Sequence, residues 1–589
     1  MKKFIQPLGL IWILCALAYA RVDAGDSPAS PAESAGSTQA IPASAAQDPV
    51  LRAMSAELER SRAQLKLQNM QRPYYLEYSL VDMDLYASDA AFGAVRLEQR
   101  QRARMLRVVV RIGDYKQDSY FGQGQGTIDL APVDDDELAL RHQLWLTTDR
   151  AYKAAIESLT RKQAALKQFE NEVLPDDFAQ EPVAQHLAPT ARLDFDPARW
   201  RETLKTATAL YRKDPDLQSL QAGVLFRVQT RYFMNSEGSV LREPETEYVV
   251  TVSGSTQAPD GMRLDRGKSY VMATPGELPS LETVRSDTDK LIATLATLRG
   301  APVAADEYSG PILFGADAAA DVFARLVGNN LAGHRPRPGT PARTTGDYAT
   351  SYKARVLPEF LSVSDDPTTA NFGGRSLIGS YAYDDEGVKA QPVKLIEKGE
   401  LVNYLLGRTP IRDFPQSNGH GRGPLAPTPA MGNLFVRSSQ PLSPDALKQK
   451  LIAICKERGL PYCYRVESVS STLAPQLLYR VWANDGHEEM VRGGEFNQLD
   501  ARALRNDVIA AGDDARVDNR MEQNANSVIA PSILFGELVV KRSGQAKDKL
   551  PDYPAPALPG AAGGRAAGTT PSQTPAQKAQ KDTFSNPAQ

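Results

Sequence analysis

Soft-metal and nucleophilic sites draw on histidine, cysteine and paired carboxylates, and among its 589 residues this chain has only five His and three Cys. His334 and His420 could share a site, the second inside the glycine-rich loop Asn418-Gly419-His420-Gly421-Arg422-Gly423. Two histidines make an incomplete metal site, so hydrogen-bonded roles are the first expectation for His334 and His420. The run His487-Glu488-Glu489-Met490-Val491 begins like a zinc helix, but Val491 stands where a second histidine belongs. Its neighbours Tyr479-Arg480-Val481-Trp482 and Asp485-Gly486 predict a strand and a turn, hence a surface hairpin. His142, on a helix, and His186, near a loop, have no identifiable partners. The acidic pairs Asp365-Asp366, Asp384-Asp385 and Asp513-Asp514 could form acid/base dyads. Each lies beside or close to Pro or Gly, where aspartate is a preferred turn residue, so turns are expected. No Gly-x-Ser-x-Gly elbow supports a serine triad.

Those groups must be positioned by an α+β framework. Asp48-Pro49 supplies an N-cap and a first-turn proline for a helix to about Leu67. Tyr74–Val81, Ala94–Gln99 and Leu106–Ile112 are rich in strand formers. Residues Asp134 to Lys167 predict a long amphipathic helix with Leu138, Leu140, Trp145, Tyr152 and Ile156 on its apolar face, and Trp200–Tyr211 a shorter one. Leu225–Phe233, Glu247–Ser253 and Ser269–Met272 predict further strands. A helix from Leu281 to Leu298 leads into a β-rich second half, in which Ala318–Leu331 and a segment from Ser443 to Gly459 have helical patterns.

The charge balance, 68 basic against 71 acidic residues for a net −3, excludes a nucleic-acid binder held by bulk phosphate neutralisation. Lys2 and Lys3, an apolar run from Leu8 to Leu17 and Ala18-Tyr19-Ala20 predict a secretory signal peptide over 1–20, and so an exported protein, periplasmic or extracellular. A lipoprotein acylated at Cys15 is the alternative, although Trp12-Ile13-Leu14 are bulky for such a signal. No other segment is apolar enough to span a bilayer. Residues 21–47 and 546–589, poor in large apolar side chains, are expected to be disordered. Between them lie an N-terminal α+β domain, 48–300, and a β-rich domain, 301–545. With Cys15 removed, Cys455 and Cys463 remain as an even pair, for which a disulfide is expected in an oxidising compartment.

Several stretches in order resemble the TldD/PmbA family of metallopeptidases and modulators: Leu361-Ser362-Val363-Ser364-Asp365-Asp366-Pro367, Tyr383-Asp384-Asp385-Glu386-Gly387-Val388, Leu395-Ile396-Glu397-Lys398-Gly399-Glu400-Leu401, Gly419-His420-Gly421-Arg422, Gly432-Asn433-Leu434 and Ile529-Ala530-Pro531-Ser532-Ile533-Leu534. The resemblance implies a two-domain subunit that dimerises and, in metal-bearing members, cleaves peptides. Those members carry His-Glu-x-x-x-His on a helix and a later cysteine as third zinc ligand. The matching segment here is Asn329-Asn330-Leu331-Ala332-Gly333-His334. An amide oxygen binds zinc poorly and cannot accept a proton as general base. The expectation the resemblance implies is therefore no cofactor, with peptide or unfolded polypeptide as ligand and His334, His420 and Arg422 as candidate contacts to it, and a homodimer or a heterodimer with a metal-bearing paralogue. The alternative is an active peptidase that completes a zinc site on His334 with non-standard ligands.

Overall fold

The computed structural model describes residues 46–67, 70–121, 126–168, 174–544 and 548–551, with 553 and 556. The expected signal peptide, the lipoprotein position Cys15, and most of the expected linker and tail lie outside the described residues. Asp48 caps α1 (Pro49–Gln64) by accepting from the amides of Val50 and Leu51. Long strands follow: β1 (Pro73–Ala91), β2 (Ala94–Ile112), β3 (Thr127–Ala131), β4 (Gln185–Leu187), β5 (Leu217–Asn235), β6 (Val240–Gln257) and β7 (Arg263–Met272). They form one sheet in the order β3-β2-β1-β5-β6-β4, with β7 also on β6.

The two stretches expected at 94–99 and 106–112 are a single strand. Polar residues obscure its middle because Arg100 and Arg102 pair across the hairpin with Asp84 and Asp82, at 2.6 and 2.8 Å. One face of the sheet is covered by helices. α1 and α2 (Glu137–Leu166) pack on β1 and β2 through Met54, Leu58, Tyr78, Leu106, Leu144 and Tyr152. α3 (Pro197–Thr208) and α4 (Leu281–Gly300) cover β5 and β6 through Trp200, Leu204, Phe226, Tyr248 and Leu295. On α2 the expected apolar face needs correction. Leu138 and Trp145 are 67% and 44% exposed, and the buried stripe is instead Leu140, Leu144, Thr148, Ala151, Tyr152 and Ala155, a run at near-helical spacing.

The second half contributes β8 (Glu307–Phe314), the centre of an eight-stranded sheet, and a six-stranded sheet built on Leu361–Asp365 and Asn433–Ser438. α5 (Ala316–Leu326) lies between the two sheets, where Val322 and Phe323 join Phe314, Val363, Leu434 and Phe535 in one core. α6 (Pro444–Glu457) covers the other face of the eight-stranded sheet. The result is a two-domain α+β architecture. Past its last strand the chain reaches back to the first domain: Asp548, in the segment expected to be tail, donates its amide to Gly261 O at 3.0 Å and accepts from Gln257 at 2.8 Å. Trp482 and His487 close the hairpin expected around Asp485-Gly486. Among the described residues no helix is long and apolar enough to cross a membrane.

Cys455 on α6 and Cys463 on the strand Tyr462–Val469 are joined as a disulfide, both fully buried, with Cα atoms 6.0 Å apart. It fastens the helix to the sheet it covers. The Cys455→Ser, Cys463→Ser double variant should lose about 2–3 kcal/mol, the closure entropy of so short a loop. Chemical denaturation checks this, and a variant as stable as the unreduced parent would contradict it.

Candidate functional site

The degenerate motif begins where α5 stops. Helical geometry is expected through Leu331 but ends at Leu326. Gly328–Asn330 form a single 3₁₀ turn after Val327, whose φ is −112°. Gly328 packs so closely that a Cβ there would overlap Met431 Sδ. Asn330 then terminates the helix: its Nδ2 donates to Leu326 O at 3.0 Å and its Oδ1 accepts from the amide of Asp347 at 3.1 Å. Asn329 is exposed. His334 lies four residues past the turn, on a segment bridged to Leu405, and its carbonyl accepts from Thr344 Oγ1 at 2.8 Å. Burial lowers its pKa, which favours the neutral imidazole. Asn329, Asn330 and His334 therefore share no helical face. Zinc, implied by the resemblance, does not fit these groups: one amide caps a helix and the other faces solvent. Among the described residues no three His, Cys, Asp or Glu side chains are grouped to hold a metal.

His420 is on another wall. The segment Leu405–Arg408 runs between the two histidines, with Leu405 O accepting from Gly333 N and Leu406 O from His420 N, at 2.8 and 3.1 Å. The His420 ring is fully buried. Its Nδ1 lies 3.0 Å from both Asn418 O and Oδ1, and its Nε2 3.1 Å from Asp365 Oδ1. Asp365 also accepts from the amides of Gly432 and Asn433, each at 3.1 Å. The imidazole thus ties the glycine-rich loop to the end of a core strand, and both ring nitrogens are engaged within the protein. Arg422, 4% exposed, lies 4.2 Å over the Tyr381 ring, 3.4 Å from Glu245 and 3.6 Å from Asp385. Asp384 accepts from the amides of Glu386 and Val388 in the expected turn, and Asp366 likewise accepts from Thr368. Asp365, Asp384 and Asp385 are nevertheless buried.

Asp385 belongs to a seam of buried charge between the domains that isolated motifs did not reveal. Arg231 on β5 pairs with Asp385, with Glu243 at 2.5 Å, and donates to Tyr383 O at 2.6 Å. Arg107 on β2 pairs with Glu77. Arg408, 1% exposed, forms a bidentate pair with Glu237 at 2.8 and 2.9 Å. Glu386 accepts from the Arg408 amide at 2.7 Å, and a Cβ at either Gly407 or Gly421 would strike its carboxylate. The available signal was inward-facing arginines on the sheet strands, which carry no motif of their own.

Burial, followed by the neighbouring Asp384 charge, pushes the Glu386 pKa up to about 7 from an ordinary 4.5. A folded-state pKa above the unfolded one means that the stabilisation is complete below 4.5 and lost as pH rises through about 7. The thermal midpoint should therefore fall between pH 5 and 8, and Glu386→Gln should flatten part of that slope. An unchanged slope in the variant would remove Glu386 as its source.

Residues 307–542 match the family described as the PmbA/TldA metallopeptidase C-terminal domain. Over 86 residues, 14% of the chain, the sequence is 38% identical to Metalloprotease MJ0996 of Methanocaldococcus jannaschii, a match spanning 18% of that protein. The crystal structure of TldE from Thermococcus kodakarensis superposes with a TM-score of 0.54 at 13% identity, covering 84% of this chain and 100% of that one. A Thermotoga maritima protein, described as a candidate modulator of a DNA gyrase, gives 0.54 at 13% identity over 83% and 99%. At such identity the structural likeness is one of fold.

Proposed function

The chain belongs to the TldD/PmbA family, and from that premise we propose that it is an exported member without a zinc centre of its own, which binds peptide or serves as the non-metal partner of a metal-bearing paralogue. One observation above all supports this. At the positions that match the family's zinc ligand and general base stand Asn329, exposed, and Asn330, whose amide is committed to ending α5. Metal-assisted hydrolysis needs a metal-activated water and a base to take its proton, and an amide can accept none. His334 and its surroundings remain the candidate peptide-contacting region, because His334 and Asn330 are partly exposed while His420 is not. Export is supported by the charged, apolar and Ala-x-Ala segments at the amino terminus and by the Cys455–Cys463 disulfide.

Purified mature protein, dialysed against buffered zinc, should retain far less than one equivalent, and His334→Ala should not change that content. Stoichiometric zinc that is lost in His334→Ala would overturn the proposal in favour of a metallopeptidase with non-standard ligands.

A further inference from the structure

Between α2 and β4 the segment 174–181 carries no helix or strand, yet its main chain is held as a bound peptide would be. Arg335, the residue after His334, donates to the carbonyls of Pro175 and, at 2.7 Å, Asp176, and pairs with Asp177 at 2.8 Å. Lys162 closes on the same Asp177 carboxylate. Tyr115 O accepts from the amides of Asp177 and Phe178, at 3.0 and 3.1 Å. The Phe178 ring lies between two guanidinium groups, Arg111 at 3.8 Å and Arg408 at 4.0 Å. Arg408 and Ala179 then exchange two-way contacts: the Ala179 amide donates to Arg408 O at 2.8 Å, and the Arg408 guanidinium to Ala179 O at 2.7 Å.

The recognising groups come from four separate parts of the chain, whereas the segment buries only Asp177, Phe178 and Ala179, with Leu174, Asp176 and Gln180 exposed. Guanidinium donors on successive carbonyls, two cations converging on one carboxylate and a cation–π slot for one aromatic ring together specify a short sequence. We propose that this groove is a peptide-binding site for an acidic–aromatic Asp-Phe segment, and that residues 174–181 are its occupant in cis. The inference rests on the peptide-binding proposal above and narrows it to a sequence class.

A tethered occupant competes at the high effective concentration of an intramolecular ligand, so the test empties the groove first. A labelled peptide of sequence LPDDFAQE, and a control with its second Asp and its Phe replaced by Ala, are titrated against the wild-type full chain and against Asp177→Ala, Phe178→Ala, with circular dichroism confirming that the variant folds. The expected result is binding of LPDDFAQE to the variant roughly tenfold or more tighter than to wild type, with no gain for the control. Phe178→Ala alone, which keeps the Asp177 ion pairs, gives the same readout with a smaller gain if the double variant does not fold. Equal binding of both peptides, or unrelated peptides bound as well by wild type as by the variant, overturns this inference and leaves the broader proposal standing. A folded variant and a wild type that bind no peptide at all overturn this inference together with the peptide-binding reading on which it rests.

Discussion

A charge removed from water must meet its counter-charge or cost several kcal/mol, and that constraint organises this protein. Arg107 and Arg408 are each 1% exposed; the first meets Glu77 on the neighbouring strand β1 and the second an acid from the other domain. Arg408, from the second half, requires Glu237 of the first, and Arg231, from the first, requires Asp385 of the second. The two domains therefore cannot be docked in another register without orphaning several buried ions. The loop Tyr383-Asp384-Asp385-Glu386-Gly387 is shaped by this demand. So are its glycine neighbours, since Glu386 fills the space that side chains at 407 and 421 would need.

The same logic redefines the residues that first look catalytic. His420 and Asp365 are at hydrogen-bond distance, a relationship that in an open cleft would suggest base and orienter. Here both are fully buried, and the pair fastens a glycine-rich loop to a core strand. His334 and Arg335 stand at the other side of Leu405–Arg408, and there charge is presented to main-chain carbonyls rather than locked against a neighbouring acid alone. The chain thus separates charged groups locked within the core from one, Arg335, that binds main-chain carbonyls of another segment of the chain.

Much of the framework was legible in the sequence because it rests on local rules. Asp48-Pro49 and Ser443-Pro444 start their helices as capping predicts, and the parity of cysteines anticipated the Cys455–Cys463 bridge. Failures came where distant partners overrode local pattern. Three arginines, Arg100, Arg102 and Arg104, hid the continuity of β2, because their aspartate partners lie across the hairpin. Leu138 and Trp145 mimicked a core stripe one step away from the real one on α2. The end of α5 coincides with the close approach of Met431 to Gly328 and with the Asp347–Asn330 hydrogen bond, and neither contact has a trace in the periodicity of 318–331. The seam was invisible for the same reason: Arg408, Glu237 and Phe178 gain meaning only when three stretches of chain are brought together.

The central claim is that this member of the family engages polypeptide through its own side chains beside His334 and without a metal. Hydrogen–deuterium exchange of the full chain with saturating peptide, in the presence of a strong zinc chelator, tests it most directly. Protection of the amides at 331–335 and 405–408 that persists in chelator is the predicted result. Protection that vanishes with chelator and returns with added zinc would contradict the account.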